Sequence, residues 1–411
     1  MNRCLLSALL LWATAAGAET VAVRGDLVYP GDGPAISDGV VMIENGKIVR
    51  VGPATEVVIP AGVRVYSGAV VTPGLIDAHS TLGTSGILNS SVPDGGTAHD
   101  QDQLETSGPI QPELRAIDAF NARDGLVDWA RSLGVTTTHT GHGPGALVSG
   151  QTVIVKLRGD SIEEALFDPA RPTEMIAMTF GASVMRNFRS PGSRPKALAL
   201  VRSELLKART YAEKRKNTDP EKRPTRDLKQ EVLADLLDKK IRALVTAQTA
   251  VDILAAIRLA QEFGYEWVLD GASDAHLLLA EIKAAGVPVL LHPPMTRAVG
   301  DLENASFTTA AKLAAAGIPF ALQSGFEAYV PKSRIVLFEA AMMVAHGLPT
   351  ERALQAITAD AARILKIDER VGTLAPGKDA DLVVFDGDPF EYTSHVCTVL
   401  IDGVAVREEC R

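Results

Sequence analysis

The two ends of the chain share one pattern, in which short apolar and β-branched runs alternate with turn residues. Near the amino terminus, residues 40–43 and 47–51 form two such runs, and Glu44-Asn45-Gly46 between them is typical of a β-hairpin turn. Neither end is long enough to bury a core alone. The pattern therefore predicts one composite β-sandwich domain, made of residues 19–70 and 370–411.

Residues 71–369 follow a different pattern, in which short apolar runs alternate with longer segments of helical periodicity. This alternation is typical of βα units on a parallel sheet. Eight such strands predict an α/β protein with a (β/α)8 TIM barrel, whose functional residues lie at the carboxyl ends of its strands. The predicted strands span residues 69–78, 135–140, 153–157, 175–179, 243–247, 267–270, 287–291 and 319–322.

The first residues of the chain have the pattern of a cleavable secretory signal. Arg3 precedes an apolar stretch over residues 4–16, and Ala16-Gly17-Ala18 has the small residues that signal peptidase reads. A membrane anchor needs about 20 apolar residues, so this stretch is too short to cross a bilayer. We expect residues 1–18 to be removed and the mature protein to be exported, either periplasmic or secreted.

Export leaves two cysteines in the mature chain, Cys397 and Cys410, because Cys4 lies in the signal. Asp402-Gly403 between two β-branched runs predicts a hairpin that brings these cysteines near each other. In an oxidising compartment we expect a disulfide between them, and two free thiols are the alternative. The cysteines have no zinc-binding spacing.

Charge and histidine content narrow the classes of function. The chain carries 41 Lys and Arg against 50 Asp and Glu, a net charge of −9, which argues against a general nucleic-acid binder. With so few cysteines, any metal would be held mainly by His, Asp, Glu or Lys, and the chain has eight histidines. A small-molecule ligand fits this composition best.

Residues 71–79, which read Val-Thr-Pro-Gly-Leu-Ile-Asp-Ala-His, resemble the first barrel strand of the amidohydrolase superfamily. In that superfamily a Pro-Gly-x-Ile-Asp-x-His-x-His run ends the strand with two metal-binding histidines. Residues 356–383 resemble the last helix and the return to the β-sandwich. Residues 111–118 and 150–156 are most similar to exported imidazolonepropionase-like members. The resemblance implies metal-dependent hydrolysis, with zinc or a similar divalent ion, of a C–N bond in a cyclic amide, an N-acyl compound or a small peptide.

The sequence departs from the superfamily at most of the expected ligand positions. His79 matches the first histidine of the pair. The other positions carry different residues, namely Thr81 for the second histidine, Thr246 or Gln248 on strand five, Gly271 on strand six, Gly325 for the aspartate of strand eight, and Gly181-Ala182 for a bridging glutamate. We therefore expect the usual metal centre to be largely missing. The chain either holds a divalent metal ion through a reduced set of ligands or holds no metal ion.

Several other residues are candidates for a rebuilt site. His139, His142 and Asp270 follow barrel strands and are candidate metal ligands, and Asp270 and His292 are candidate catalytic residues. Lys156 is either a carbamylated bridging ligand, as in some superfamily members, or an ion-paired lysine. Ser324 or Ser80 with a histidine is a candidate for metal-free nucleophilic catalysis. His99, in the long loop after the first strand, is a candidate substrate-binding residue.

Two hypotheses about function remain open at this point. The chain is either a divergent hydrolase of C–N bonds with weak or altered activity, or a catalytically inactive pseudoenzyme. The pseudoenzyme would bind a small molecule, or would act as a subunit of an active paralogue. The chain is expected to form either a homo-oligomer or a hetero-oligomer with such a paralogue. Metal analysis of the purified protein separates the two hypotheses.

Overall fold

The computed structural model describes residues 20–85, 102–292, 295–325 and 336–410. The expected signal peptide, residues 1–18, and the candidate substrate-binding residue His99 lie outside these ranges. The strands are β1 (Thr20–Val28), β2 (Ile36–Glu44), β3 (Lys47–Pro53), β4 (Arg64–Pro73), β5 (Leu75–Ser80), β6 (Val135–Thr140), β7 (Gly150–Gln151), β8 (Val153–Lys156), β9 (Met175–Phe180), β10 (Arg242–Ala247), β11 (Trp267–Gly271), β12 (Val289–Leu291), β13 (Phe320–Leu322), β14 (Leu382–Phe385), β15 (Val396–Ile401) and β16 (Val404–Arg407).

Strands from both ends of the chain form one seven-stranded sheet, in the order β16-β15-β14-β4-β1-β2-β3. The expected hairpin is present as the antiparallel pair β2–β3. β4 pairs in parallel with β1 and antiparallel with β14, so it joins the two chain ends. Alternate residues of β1 are buried on opposite faces of the sheet, Val21 and Val23 on one and Ala22 on the other. The prediction that both ends build one β domain is confirmed.

The predicted strand 69–78 is divided between two sheets, and Pro73-Gly74 marks the division. β4 ends at Pro73 in the seven-stranded sheet, and β5 begins at Leu75 as the first barrel strand. Proline donates no backbone hydrogen bond and so interrupts the strand. Gly74 packs against β6, where a Cβ would lie 2.2 Å from Oγ1 of Thr136. The chain passes from the β domain into the barrel at Gly74, where only glycine fits beside Thr136.

Parallel strands and helices form the barrel. β9 to β13 pair in parallel in sequence order, β5 pairs in parallel with β6, and a bridge between Ser80 and Gly325 brings β5 beside the end of β13. The prediction of a parallel strand at 153–157 was wrong, because β8 pairs antiparallel with β6. A parallel return needs a crossover, usually a helix. The connection from Thr140 to Val153 contains no helix, so β8 runs back along its neighbour.

The helices cover the outside of the barrel and end where glycine allows a left-handed turn. Gly264, Gly286 and Gly317 each follow a helix with φ between 62° and 75°, so each ends its helix in the left-handed conformation. Among helices in the described ranges, none combines the length and apolarity needed to cross a bilayer. The helices are α1 (Gly125–Ser132), α2 (Ile162–Ala165), α3 (Ala182–Asn187), α4 (Arg194–Arg215), α5 (Leu228–Leu237), α6 (Ala250–Phe263), α7 (Leu279–Ala285), α8 (Thr309–Ala316), α9 (Val336–Ala345), α10 (Thr350–Ala356) and α11 (Ala359–Leu365).

A buried ion cluster joins the barrel to the β domain. Lys156 at the end of β8 is fully buried, and its Nζ lies 2.8 Å from Asp379 Oδ2, 3.0 Å from Asp381 Oδ1 and 2.6 Å from Asp402 Oδ1. Asp379 also accepts hydrogen bonds from Arg370. The carboxylates come from loops of the β domain, so the ammonium of Lys156 fixes the two parts against each other.

Candidate functional site

A cavity of about 340 Å³ opens at the carboxyl ends of the barrel strands. Its floor is formed by His79 of β5, Thr246 of β10, Asp270 of β11 and Gln323, which follows β13. The parallel strands bring these four side chains together because their carboxyl ends meet at one end of a barrel. The cavity is lined by His79, Pro144, Thr179, Phe180, Ser183, Arg186, Thr246, Gln248, Asp270, His292, Thr296, Arg297, Val299, Asp301, Leu302 and Gln323.

Asp270 is the centre of a buried hydrogen-bond network on this floor. Its Oδ1 lies 3.0 Å from Nδ1 of His79 and accepts a 2.8 Å hydrogen bond from Nε2 of Gln323. Its Oδ2 accepts a 2.5 Å hydrogen bond from Oγ1 of Thr246. Burial opposes ionisation of the carboxyl, but the charge and hydrogen bond of His79 outweigh it and lower the pKa of Asp270. Three donors therefore surround an ionised carboxylate.

His79 is held by Asp270 through one ring nitrogen, and its other ring nitrogen is buried beside the cavity that the residue lines. Burial alone would lower the pKa of His79, but the neighbouring Asp270 carboxylate raises it above its ordinary value. Nε2 of His79 is buried and has no hydrogen-bond partner within the part of the chain that the structure describes. Because Asp270 accepts the Nδ1 proton, Nε2 is the ring nitrogen that this pairing leaves over.

The structure assigns different roles to the two histidines that follow β6. His139 is fully buried, with Nδ1 2.9 Å from the carbonyl oxygen of Ala78 and Nε2 2.7 Å from Oγ1 of Thr152. Both ring nitrogens are engaged in these hydrogen bonds, so the candidacy of His139 as a metal ligand was wrong. Burial also lowers the pKa of His139 to about 3, so the ring is neutral. His142 is also buried, which lowers its pKa to about 4, and it does not line the cavity.

Among the residues that the structure describes, neither candidate serine hydroxyl is hydrogen-bonded to a histidine ring. Ser324 donates its hydroxyl to Oδ2 of Asp77 and its backbone N–H to Oδ1 at 3.0 Å. Ser80 shares a 2.9 Å hydrogen bond with Thr138. The prediction of a serine nucleophile paired with histidine was therefore wrong, because the hydroxyl of Ser324 is hydrogen-bonded to Asp77 and that of Ser80 to Thr138.

The remaining candidates differ in where the structure places them. Lys156 is committed to three aspartates at the domain junction, so its role as a bridging metal ligand was also wrong. His292 follows β12, and its backbone N–H donates to the carbonyl of Gly271 at 2.9 Å. Its ring lines the cavity, so His292 is placed with His79 and Asp270 in one site.

Two of the altered ligand positions, 248 and 271, lie side by side, and the side chain of Gln248 fills the space beside Gly271. A Cβ at Gly271 would lie 2.3 Å from Nε2 of Gln248, and Gly271 has a φ of +80°. The Gln248 side chain thus covers Gly271, and its Oε1 accepts from the backbone and hydroxyl of Ser273 at 3.1 and 2.7 Å. A histidine at 271 has no room while glutamine occupies 248.

The other altered positions are also committed to local structure. Thr81 bonds to Ser85 in the loop after β5. Gly325 donates its backbone N–H to the carbonyl of His79 at 3.2 Å. Ala182 lies where the superfamily places a bridging glutamate, and its backbone N–H donates a 2.8 Å hydrogen bond to Oδ2 of Asp301. These positions supply no metal ligand.

The donor set at the cavity therefore does not fit the metal centre that the resemblance implies. His79 and Asp270 are bonded to each other, and the amide of Gln323 and hydroxyl of Thr246 donate to the carboxylate where a cation would have to lie. A stable centre needs at least three protein ligands. Within the described ranges, the one group of three His, Cys, Asp or Glu side chains close enough to bind an ion is Asp386, Cys397 and Cys410, outside the barrel.

Sequence reasoning identified His79, Asp270 and His292, but not the donors that complete the network. Thr246 was noted only as a replacement for histidine, and Gln323 was not a candidate. The available signal was position, since each is a polar residue at the end of a buried strand run. Polar residues of any type at the carboxyl ends of barrel strands are therefore positioned to take part in the site.

Known proteins resemble the chain along most of its length. Residues 251–406 match the amidohydrolase family. The crystal structure of an amidohydrolase from Thermotoga maritima MSB8 is 30% identical, with a TM-score of 0.86, over 95% of this chain and 100% of that chain. Imidazolonepropionase from Streptococcus pyogenes serotype M18 is 25% identical over 87% of this chain and 86% of its own length.

A longer relative is the amidohydrolase tasK of Hapsidospora irregularis, which is 27% identical over 95% of this chain. The chain spans 43% of the length of that protein. The Thermotoga structure combines 30% identity with coverage of both chains nearly from end to end, and its fold agrees with the barrel and shared sheet described above. The chain therefore belongs to the amidohydrolase family.

Proposed function

We propose that the chain binds a small organic molecule in the barrel cavity without a catalytic metal ion. The observation that carries this proposal is the engagement of Asp270 by three protein donors, His79, Thr246 and Gln323. A carboxylate that accepts from three directions has little capacity left for a cation, and the family's other ligand positions carry residues that cannot replace it.

The cavity wall indicates the class of ligand. Phe180, Val299 and Leu302 supply apolar surface, and Nε2 of His79 supplies a donor at the floor when the ring is protonated. Arg186 is exposed in the wall and makes no ion pair within the described residues. A ligand with an amide carbonyl for His79, an apolar body and a carboxylate for Arg186 would satisfy these groups. N-acyl amino acids and cyclic amides that bear a carboxylate belong to this class.

The unpartnered Nε2 of His79 favours a second candidate function, metal-independent hydrolysis of a C–N bond. With Nδ1 held by Asp270, neutral His79 could accept a proton from a water molecule as it attacks the bound carbonyl. Asp270 would fix the tautomer and stabilise the imidazolium that forms. The two candidates share one binding site and differ in whether the bound amide is cleaved.

Metal content tests the main proposal directly. We expect the purified, oxidised protein to hold less than one equivalent of Zn, Fe or Mn after dialysis against a chelator, because the cavity offers fewer than three protein ligands to a metal ion. Elemental analysis checks this. Stoichiometric metal that survives dialysis and is lost in His79→Ala would overturn it.

Ligand binding tests the assignment of the cavity. We expect N-acyl amino acids or carboxylated cyclic amides to raise the Tm, because a ligand that binds only the folded state stabilises it. His79→Gln and Arg186→Ala should each reduce this shift, whereas Arg189→Ala, which removes an exposed arginine outside the cavity, should not. Equal shifts in all three variants would contradict the assignment.

Product formation separates binding from hydrolysis. The same compounds are incubated with the protein in the presence of a chelator, and free amine or ring-opened product is measured. Hydrolysis that is insensitive to the chelator and lost in His79→Gln favours the second candidate. Binding without turnover favours the first.

The proposal extends to location and partners. The signal pattern of residues 1–18 and the disulfide between Cys397 and Cys410 support an exported protein in an oxidising compartment. A binding protein of this fold could also act as a subunit of an active paralogue. Affinity purification of the tagged chain from its own cell envelope, followed by mass spectrometry, tests for such a paralogue and for self-association.

A further inference from the structure

Three side chains with metal-ligand chemistry meet at one end of the strands β14, β15 and β16. Asp386 directly follows β14, Cys397 lies in β15, and Cys410 follows β16 by three residues. One ligand atom from each side chain lies within 4.8 Å of the other two. Asp386 and Cys410 are exposed and Cys397 is partly exposed, so ions in solution can reach the cluster.

Backbone pairing brings together the strand ends that carry these groups. Phe385 pairs with Val396, and Val399 pairs with Arg407, which places the residues that follow β14 and β16 beside the start of β15. His395 fixes the Asp386 side chain, with its backbone N–H 2.6 Å from Oδ1 and its Nδ1 2.8 Å from Oδ2. The cluster is therefore built into the sheet.

In the structure Cys397 and Cys410 form a disulfide, and neither sulfur is a thiolate. A phosphine reductant transfers two electrons to the S–S bond, while water supplies the oxygen of the phosphine oxide and the two protons of the thiols. A divalent ion that binds both sulfurs then releases those two protons. Thiolate sulfur is a ligand type that selects zinc over magnesium or calcium.

We propose that the reduced chain binds one zinc-class ion through Cys397, Cys410 and Asp386. The ion and the disulfide are alternative cross-links between the same strands, so the end of β16 stays attached to the sheet in either state. Three protein ligands leave a fourth position for water at this exposed place. His395 acts through Asp386, in the manner of the residues that orient metal ligands.

Cobalt titration of the full chain in a Cys4→Ser background tests the proposal, because the two remaining cysteines are those of the site. After reduction by a phosphine, we expect one equivalent of Co²⁺ to bind with thiolate-to-cobalt charge-transfer absorption. The oxidised protein and the reduced Cys397→Ser variant should lack this absorption. The absorption requires sulfur ligands, so ion binding in the barrel cavity cannot produce it.

Two further variants test the ligand set. Asp386→Asn should weaken cobalt binding, and His395→Ala should weaken it by about 10- to 100-fold. Glu391→Gln removes an exposed carboxylate between the same strands and should leave the affinity unchanged. Formation of the disulfide in each oxidised variant, counted by thiol titration, shows that the strand ends still meet. No cobalt absorption in the reduced parent, or equal affinity in Asp386→Asn and Glu391→Gln, would overturn the proposal.

Discussion

At the scale of single residues, two buried aspartates next to the cavity have opposite ionisation tendencies. Asp270 is surrounded by His79, Thr246 and Gln323, and its pKa is lowered. Burial raises the pKa of Asp77 to about 7, although two hydrogen bonds from Ser324 oppose the rise. The two pKa values differ because His79, which can carry a positive charge, contacts Asp270 directly, whereas Asp77 accepts hydrogen bonds from neutral groups.

Asp77 therefore makes the stability of the fold depend on pH. Its folded pKa of about 7 exceeds the ordinary value of 3.8, so the folded state binds its proton more tightly. Its favourable contribution is complete below about pH 4 and is lost as the pH rises to about 7. We expect Asp77→Asn to reduce the fall in unfolding free energy between pH 5 and 8, by roughly 1–3 kcal/mol. Urea unfolding at both pH values measures this, with exposed Asp118→Asn as the control. An unchanged difference between the two pH values in Asp77→Asn would contradict the account.

The sequence predicted part of the site at this scale. His79 is identified by the motif around it, and Asp270 by its place at a strand end. The protonation of Asp77 and the engagement of His139 depend on burial and on partners such as Ser324 and Thr152, which are distant along the chain or on another strand. Those contacts exist only in the folded barrel, so sequence spacing does not indicate them.

At the scale of elements, the ends of β10 and β11 form a matched pair. Gln248 occupies the space beside Gly271 that a side chain would need. The element pattern was predictable from apolar runs and helical periodicity, but the direction of β8 was not. An apolar run looks the same in parallel and antiparallel pairing, and the direction was set by a connection without a helix.

The contact between Gln248 and Gly271 predicts that adding a side chain at 271 lowers the stability more than adding one at Gly264. Gly271 and Gly264 both have positive φ, +80° and +75°, but nothing lies within 4 Å of a Cβ at Gly264. Both Gly271→Ala and Gly264→Ala carry backbone strain of about 1 kcal/mol or more, and Gly271→Ala should cost roughly 1–3 kcal/mol beyond this from overpacking. Thermal unfolding of both variants measures the difference. Adding Gln248→Ala should recover part of the loss at 271, and equal Tm values for the two glycine variants would refute the contact.

At the scale of the whole molecule, Lys156 holds the barrel and the β domain together. Its ammonium is fully buried among Asp379, Asp381 and Asp402. Lys156→Met should lower the unfolding free energy by about 3–5 kcal/mol, because removal of one partner leaves buried carboxylates without their cation. The exposed pair Lys366–Glu266 provides the control, and Lys366→Met should cost about 1 kcal/mol or less. Denaturant unfolding compares the two, and similar losses would contradict the role of Lys156.

The position of β4 between β1 and β14 has a consequence for how the chain is made. β4 is complete by residue 73, but its partner β14 is synthesised about three hundred residues later. The carboxylates that neutralise Lys156 also come from this last part. The β domain therefore cannot close while the chain is still emerging from the ribosome, because the pairing is strongly non-local. The edge of β4 that β14 covers therefore stays unpaired until the last part of the chain has been made.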